Sequence, residues 1–294
     1  MCTYHKPVLL RESIAALAVK TAGTYVDATF GGGGHSRAVL EQLGKKGKLL
    51  GFDQDTDTAV NIPKDNRFTW IHGNFRFVHN FCKYAGHPQV DGILADLGVS
   101  WHQFDTDSRG FSFRFEGPLD MRMNQQAKLT AATVLNTYSC ETLETLLRDF
   151  AEIPNARAVA RAIVSARSQA EITTTEQFYG ILAKFLPRNA EHKYLAKIYQ
   201  ALRIEVNGEM RALEGFLGQC LPLLRPQGRL VVITYHSVED RMVKHFMRHA
   251  AENGQLDIVT KKPLLPSEEE IQENTRARSA KLRVAQRTED VRHE

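Results

Sequence analysis

Cysteine is scarce in this chain and nowhere paired. Its 294 residues hold four, Cys2, Cys82, Cys140 and Cys220. None forms a C-x-x-C pair, so neither a disulfide framework nor a zinc cluster is expected, and a reducing compartment fits. No apolar run is long enough to span a bilayer. The N-terminus also lacks an apolar segment ending in a small-residue cleavage site. The expectation is a cytoplasmic protein with no membrane partner. Neither sign of charge dominates: 38 Lys and Arg against 34 Asp and Glu leave a net charge of +4. That basic lean permits a nucleic-acid partner without requiring one. The 11 histidines show no metal-ligand spacing, and no metal is expected. Internal repeats and low-complexity tracts are absent.

What is present is an alternation of strand and helix patterns. Apolar runs at Tyr25–Thr29, Lys48–Phe52, Phe68–His72 and Val90–Leu97 read as strands, with helices at Ser36–Leu43 and Phe75–Tyr84 between them. Such alternation predicts a parallel sheet covered by helices on both faces. After Asp96 the pattern changes. Residues 97–127 read as a long ordered loop and 128–204 show only helical periodicity, with Leu143, Leu146, Leu147 and Phe150 on one face. Thr174 to Gln177 has capping-box spacing, and Tyr194–Cys220 reads as one long helix or two abutting ones. The α/β pattern resumes with a turn at Arg225–Gly228, a strand at Arg229–Tyr235, a helix capped by Ser237, and tail strands at Leu256–Thr260 and Ala280–Ala285. The fold class is therefore α/β with an inserted helical block.

The chemistry concentrates at strand ends. Tyr25-Val26-Asp27-Ala28-Thr29-Phe30 runs into Gly31-Gly32-Gly33-Gly34-His35-Ser36, and the next strand ends in Asp53. A strand, glycine loop, helix, strand and acid unit binds a ribose-containing ligand: bare backbone allows close approach, and the acid accepts from ribose hydroxyls. The dinucleotide pattern G-x-G-x-x-G fails, because its last position falls on Ser36 or Arg37. The acid within the first strand, Asp27, fits the first motif of S-adenosylmethionine (SAM) methyltransferases better, and SAM has no pyrophosphate to cradle.

Asp96-Leu97-Gly98-Val99-Ser100 follows the fourth strand, where amino-group methyltransferases place a hydrogen-bond acceptor for the target amine. Asp96 as a turn cap or cofactor contact stays open beside that role. In Arg109-Gly110-Phe111-Ser112-Phe113-Arg114-Phe115 the aromatics alternate with period two. This segment is either a β-arm burying its rings or a substrate loop whose arginines meet phosphates and whose aromatics stack on a base. His236, in Tyr235–Arg241, reads as a general base, an RNA contact or a packing histidine. Arg276–Arg283 reads as a basic RNA-facing surface or a solvated tail.

Taken together, His5–Leu10, Tyr25–Ser36, Asp91–Ser100, Arg109–Met123, Gln200–Asn207, Tyr235–Arg241 and Asn274–Arg283 resemble the RsmH (MraW) family of bacterial ribosomal RNA cytidine N4-methyltransferases. The most specific segment is Arg109–Phe113 with Gly117–Met123. The resemblance implies a Rossmann-like SAM-dependent methyltransferase domain over residues 1–108 and 205–294, with an inserted, mostly helical substrate-recognition domain over 109–204. It implies SAM contacts at Gly33, Gly34, His35, Asp53, Phe75, Asp96 and Gln103. Catalysis is expected at Asp96 and His236, and substrate contacts at Arg109, Phe113 and Arg114. The implied target is the N4 of a cytidine in the decoding region of small-subunit (16S) ribosomal RNA, as naked RNA or as the assembled small subunit. A homodimer is a further candidate assembly. An amino-group methyltransferase acting on other RNA, DNA or protein, and a SAM-binding ribosome assembly factor without turnover, are the alternative readings. The chain departs from the family's usual wording at Phe150–Ile153, at Lys193–Lys197 and at Trp101.

Overall fold

The computed structural model describes residues 7–98 and 109–289. His5, Ser100, Trp101 and Gln103 lie outside the described residues. The chain divides into two compact units, one formed by Met1–Gly98 with Arg211–Glu294 and the other by Val99–Met210.

The first unit is built on a sheet whose strands are β1 (Thr24–Asp27), β2 (Lys48–Asp53), β3 (Phe68–His72), β4 (Val90–Asp96), β5 (Leu224–Thr234), β6 (Leu256–Ile258) and β7 (Lys281–Arg287). Their order is β3-β2-β1-β4-β5-β7-β6. The first five are mutually parallel, while β7 runs antiparallel to both β5 and β6. The central strands are near-continuous apolar runs because both sheet faces are covered: Tyr25, Val26, Leu49, Leu50, Ile93, Leu94 and Val231 are all essentially inaccessible. Strand order reverses between β1 and β4. In an open α/β sheet the crevice at that switch point, beyond the carboxyl ends of the strands, is where ligands bind.

Helices α1 (Leu10–Leu17), α2 (Gly34–Gln42) and α3 (Val78–Tyr84) belong to this unit, a 3₁₀ turn at Phe75–Phe77 leading into α3. The apolar face of α1 (Ile14, Leu17) and that of α2 (Val39, Leu40) share a core cluster with Tyr25, Leu49 and Leu94. Such burial contributes roughly 1.5–3 kcal/mol per large aliphatic side chain.

The second unit contains α4 (Ala131–Thr137), α5 (Cys140–Phe150), α6 (Ala156–Arg167), α7 (Thr175–Leu182) and α8 (Glu191–Asn207). Leu143, Leu146 and Leu147 face inward as their spacing predicts, against Val159, Ile163, Ile198 and Leu202. The capping box at α7 forms as expected: the Thr174 side chain accepts from the Gln177 amide, and the Gln177 side chain accepts from the Thr174 amide. Of the two readings of Tyr194–Cys220, two abutting helices form, because Gly208 closes α8 in the left-handed conformation at φ 59°. Helix α9 (Glu209–Leu223) follows, and after β5 come α10 (Ser237–Glu252) and α11 (Glu268–Glu273).

Three local expectations need correction. The segment Arg109–Phe115 forms no β-arm. Its rings are placed singly: Phe111 is buried, Phe113 packs on the helical core and Phe115 is exposed. Residues 225–228 are a bulge within β5 rather than a turn before it, since Val90 pairs with Leu224 and Gly92 with Arg229. The cap of α10 is His236, not Ser237; the ring Nδ1 of His236 accepts from the Glu239 amide at 3.3 Å.

Candidate functional site

The carboxyl ends of β1, β2 and β4 each carry an aspartate, and the glycine loop connects β1 to α2. Asp27 is buried; its Oδ2 accepts from the Ser36 hydroxyl at 2.6 Å and its Oδ1 from the Thr29 amide at 3.2 Å. The first turn of α2 is thereby tied to the end of β1. Burial pushes the Asp27 carboxyl above the usual range. Asp53 ends β2, where its Oδ2 accepts from the Gly31 amide at 2.8 Å and its Oδ1 from the Asp55 amide at 2.9 Å. Burial raises Asp53 to about 6, although both backbone hydrogen bonds oppose the rise.

The glycines are required for different reasons. Gly33 sits at φ 71°, in the left-handed region. Gly34 has an ordinary φ, but a Cβ there would lie 2.2 Å from Pro7 Cγ. Bare backbone at Gly34 thus lets the N-terminal segment lie against the start of α2. The same segment is held by His35, whose Nε2 lies 3.2 Å from the Val8 carbonyl. A carbonyl only accepts, so Nε2 carries the proton, and Nδ1 lies 3.8 Å from Asp96 Oδ2. Burial lowers the His35 pKa, which keeps the ring neutral.

Asp96 closes β4. Its amide donates to Thr29 Oγ1 at 2.7 Å, and its carboxylate Oδ1 accepts from the Tyr235 hydroxyl at 2.7 Å. Burial is the main cause that lifts Asp96 to about 7; the Glu239 charge adds to the rise and the Tyr235 hydrogen bond opposes it. Phe75, in the turn after β3, is half-buried and meets Phe216 edge to face at 5.2 Å.

The expected cofactor residues Gly33, Gly34, His35, Asp53 and Asp96 therefore converge on one sheet edge. The structure spends His236 differently. Its Nδ1 caps α10 and its Nε2 lies 3.0 Å from Glu239 Oε1, so both ring nitrogens face Glu239. In the helical unit Arg109 is buried and donates to the Arg122 and Met123 carbonyls at 2.9 and 3.2 Å. Phe113 packs against Tyr199, 5.5 Å between ring centroids. Arg114 alone of these three faces solvent. Tyr235 and Thr29, which hold Asp96, were not singled out in the sequence. The signal was topological: β4 and β5 are neighbours, so the residues following them meet.

This edge fits SAM. Backbone at Gly31–Gly34 carries no side chains, and the surrounding carboxylates accept hydrogen bonds from a ribose and attract a ligand with a sulfonium and an ammonium. A dinucleotide pyrophosphate would instead be disfavoured by the acidic side chains of Asp53 and Asp96 at this edge. When bound, SAM supplies a methyl group on a positively charged sulfur.

The two segments in which the chain departs from the family's wording lie against each other. Lys197 Nζ donates to the Glu152 carbonyl at 3.5 Å, and the Tyr194 hydroxyl donates to Asn155 Oδ1, just beyond the first segment, at 2.7 Å. They form one linked patch on the helical unit.

Among the described residues, no helix is long and apolar enough to cross a membrane. Curated relatives named "Ribosomal RNA small subunit methyltransferase H" include one from Bacteroides fragilis, 51% identical over 297 residues, covering 97% of this chain and 98% of that protein. Another, from Parabacteroides distasonis, is 48% identical with 97% of each chain covered. Among solved structures, a putative rRNA-methylase from Clostridium thermocellum aligns over 96% of this chain and 98% of its own at 14% identity and a TM-score of 0.47; the assignment rests on the sequence relatives instead. The family model described as "MraW methylase family" matches residues 2–288, and the chain belongs to that family.

Proposed function

We propose that this chain transfers the methyl group of SAM to the N4 amine of a cytidine in small-subunit (16S) ribosomal RNA. The observation that supports this most is the Asp96 carboxylate: it stands at the end of β4, beside the glycine loop, with Oδ1 on the Tyr235 hydroxyl and Oδ2 3.8 Å from His35 Nδ1. An exocyclic cytosine amine has its lone pair delocalised into the ring. A carboxylate oxygen accepting one of its N–H groups favours a tetrahedral nitrogen whose lone pair is free to attack. Bound SAM would supply the methyl carbon for that attack, its carbon–sulfur bond breaking with the electron pair going to sulfur as the nitrogen–carbon bond forms. One N4 proton then leaves to water. Alignment supplies the rate enhancement, because displacement at a sulfonium carbon needs no Lewis acid.

A base in a folded RNA must leave its stack to reach a methyl donor. The helical unit is the docking element in this reading, with the exposed Arg114 and Phe115 as its phosphate and base contacts. The buried Arg109 and the packed Phe113 hold that segment's shape. The substrate is small-subunit RNA, either naked or in the assembled small subunit, the setting is the cytoplasm, and a homodimer is a further candidate assembly.

The test incubates the protein with methyl-labelled SAM and either naked 16S RNA or isolated small subunits from cells lacking the enzyme. Label in N4-methylcytidine after nuclease digestion supports the reading, and the better of the two substrates defines the physiological form. Label confined to another nucleoside refutes the N4 assignment, and no label with either substrate refutes turnover on small-subunit RNA.

A further inference from the structure

We infer that Tyr235 is a positioning residue for Asp96, fixing which carboxylate oxygen is presented to the ligand edge. The inference deepens the methyltransferase reading and rests on it.

The Tyr235–Asp96 pair is held from both ends. The Tyr235 hydroxyl reaches Asp96 Oδ1 at 2.7 Å, while the Asp96 amide is held by Thr29 Oγ1 at 2.7 Å. Tyr235 is aimed in turn by the residues that follow it. Its amide donates to Glu239 Oε2 at 3.0 Å, the Glu239 amide donates to His236 Nδ1, and His236 Nε2 lies 3.0 Å from Glu239 Oε1. The sequence Tyr235-His236-Ser237-Val238-Glu239 thus folds into a small hydrogen-bonded unit at the start of α10 whose output is the direction of the Tyr235 ring. Gly98 leaves the space for that ring: at φ 121° it has no side chain, and a Cβ there would lie 3.2 Å from Tyr235 Cδ2. A tyrosine hydroxyl hydrogen-bonded to a carboxylate is the donor, so Oδ1 is occupied and Oδ2 is the oxygen left to accept from an amine or a ligand ammonium.

The same bond governs charge. The groups facing Asp96 are Tyr235 from the end of β5, Glu239 from α10, neutral His35 from α2 and Asp27 from β1. Burial, Glu239 and Asp27 all oppose ionisation. Tyr235 is the neighbour whose hydrogen bond favours it. Without that bond the carboxylate stays protonated to higher pH, and a protonated Asp96 offers the target amine a poorer acceptor.

The experiment compares wild type with Tyr235→Phe, which keeps the ring and removes only the hydroxyl. Two readouts are taken: the titration of the Asp96 carboxyl in the ligand-free protein by carbon-13 NMR, assigned with Asp96→Asn, and the pH dependence of kcat on small-subunit RNA. In Tyr235→Phe the Asp96 midpoint is expected to rise by about one to two pH units. The acid limb of kcat should rise with it, so that activity at pH 7 falls at least fivefold and recovers above pH 9. A loss of activity equal at all pH values, or an unmoved Asp96 midpoint in a folded variant, overturns the inference. If wild type itself fails to methylate the RNA, the functional reading falls, while the NMR titration still decides the Tyr235–Asp96 relationship. Should Tyr235→Phe fail to fold, Gly98→Ala presses its methyl group against the ring at 3.2 Å from Tyr235 Cδ2, and an upward movement of the Asp96 midpoint smaller than that of Tyr235→Phe is expected; no movement overturns the inference.

Discussion

The Tyr235 hydroxyl donates a 2.7 Å hydrogen bond to Asp96 across a sequence separation of 139 residues. It joins the turn after β5 to the end of β4, and it is made by two residues on adjacent strand ends at the sheet edge where the glycine loop begins. The charge state of Asp96 is therefore set chiefly by burial, with this contact opposing it, and the stability of the protein should report it.

Asp96 is lifted to about 7 in the folded chain from an ordinary value near 3.8. Both states are protonated only well below pH 3.8. Between pH 4 and 7 the unfolded chain ionises while the folded one resists, so this group's contribution falls as pH rises, and the loss is complete above pH 7. Asparagine has no such loss. Ligand-free Asp96→Asn should thus gain stability relative to wild type by about 2–4 kcal/mol on going from pH 4.5 to pH 8. Urea unfolding at the two pH values measures it, and a pH-independent difference contradicts the assigned burial of the charge.

Asp53 ties the glycine loop to the end of β2 and is the expected acceptor for the ribose. A hydrogen bond to a charged group is worth roughly 1.5–3 kcal/mol. Asp53→Ala should weaken SAM binding by about 10- to 150-fold. Titration calorimetry reads this directly, provided the variant's circular dichroism matches wild type; unchanged affinity removes Asp53 from the ligand.

Two glycines give a matched pair. Gly34→Ala places a methyl group 2.2 Å from Pro7 Cγ, so it must displace either the N-terminal segment or the start of α2. It should lower Tm and SAM affinity together. Gly180 lies on the exposed side of α7, and a methyl group added there meets nothing within 4 Å. Gly180→Ala should stabilise by about 0.5–1 kcal/mol with SAM affinity unchanged. Thermal unfolding of both variants checks the pair.

The segment Arg109–Phe115 separates packing from recognition. Phe113→Ala removes a ring packed on Tyr199 and should destabilise the helical unit by about 2 kcal/mol. Arg114→Ala should leave Tm unchanged, raise KM for RNA about threefold to tenfold, and reduce the slope of binding against salt by about one. An Arg114 variant with wild-type salt dependence would show that this cation does not meet phosphate.

The sequence made the sheet legible because its strands are doubly covered and hence continuously apolar, and because glycine and aspartate punctuate their ends. The capping box at Thr174 was legible for a similar reason: two side chains at fixed spacing satisfy two amides. The break at Gly208 was not, since one helix and two abutting helices share the same periodicity. His236 as a cap was hidden by the adjacent Ser237, a residue type that ordinarily caps better. The aromatic alternation of Phe111, Phe113 and Phe115 mimicked a strand because rings in irregular segments also bury one at a time. The Tyr235–Asp96 contact was the hardest to see, because only the adjacency of β4 and β5 brings such distant residues together.

The central claim is that this chain methylates the N4 of a cytidine in small-subunit RNA through Asp96. Nucleoside mass spectrometry of 16S RNA from cells lacking the protein, and from the same cells carrying wild type or Asp96→Ala, tests it most directly. The account predicts N4-methylated cytidine present with wild type and absent or strongly depleted with either the deletion or Asp96→Ala. Unchanged N4-methylated cytidine in the deletion strain would contradict it.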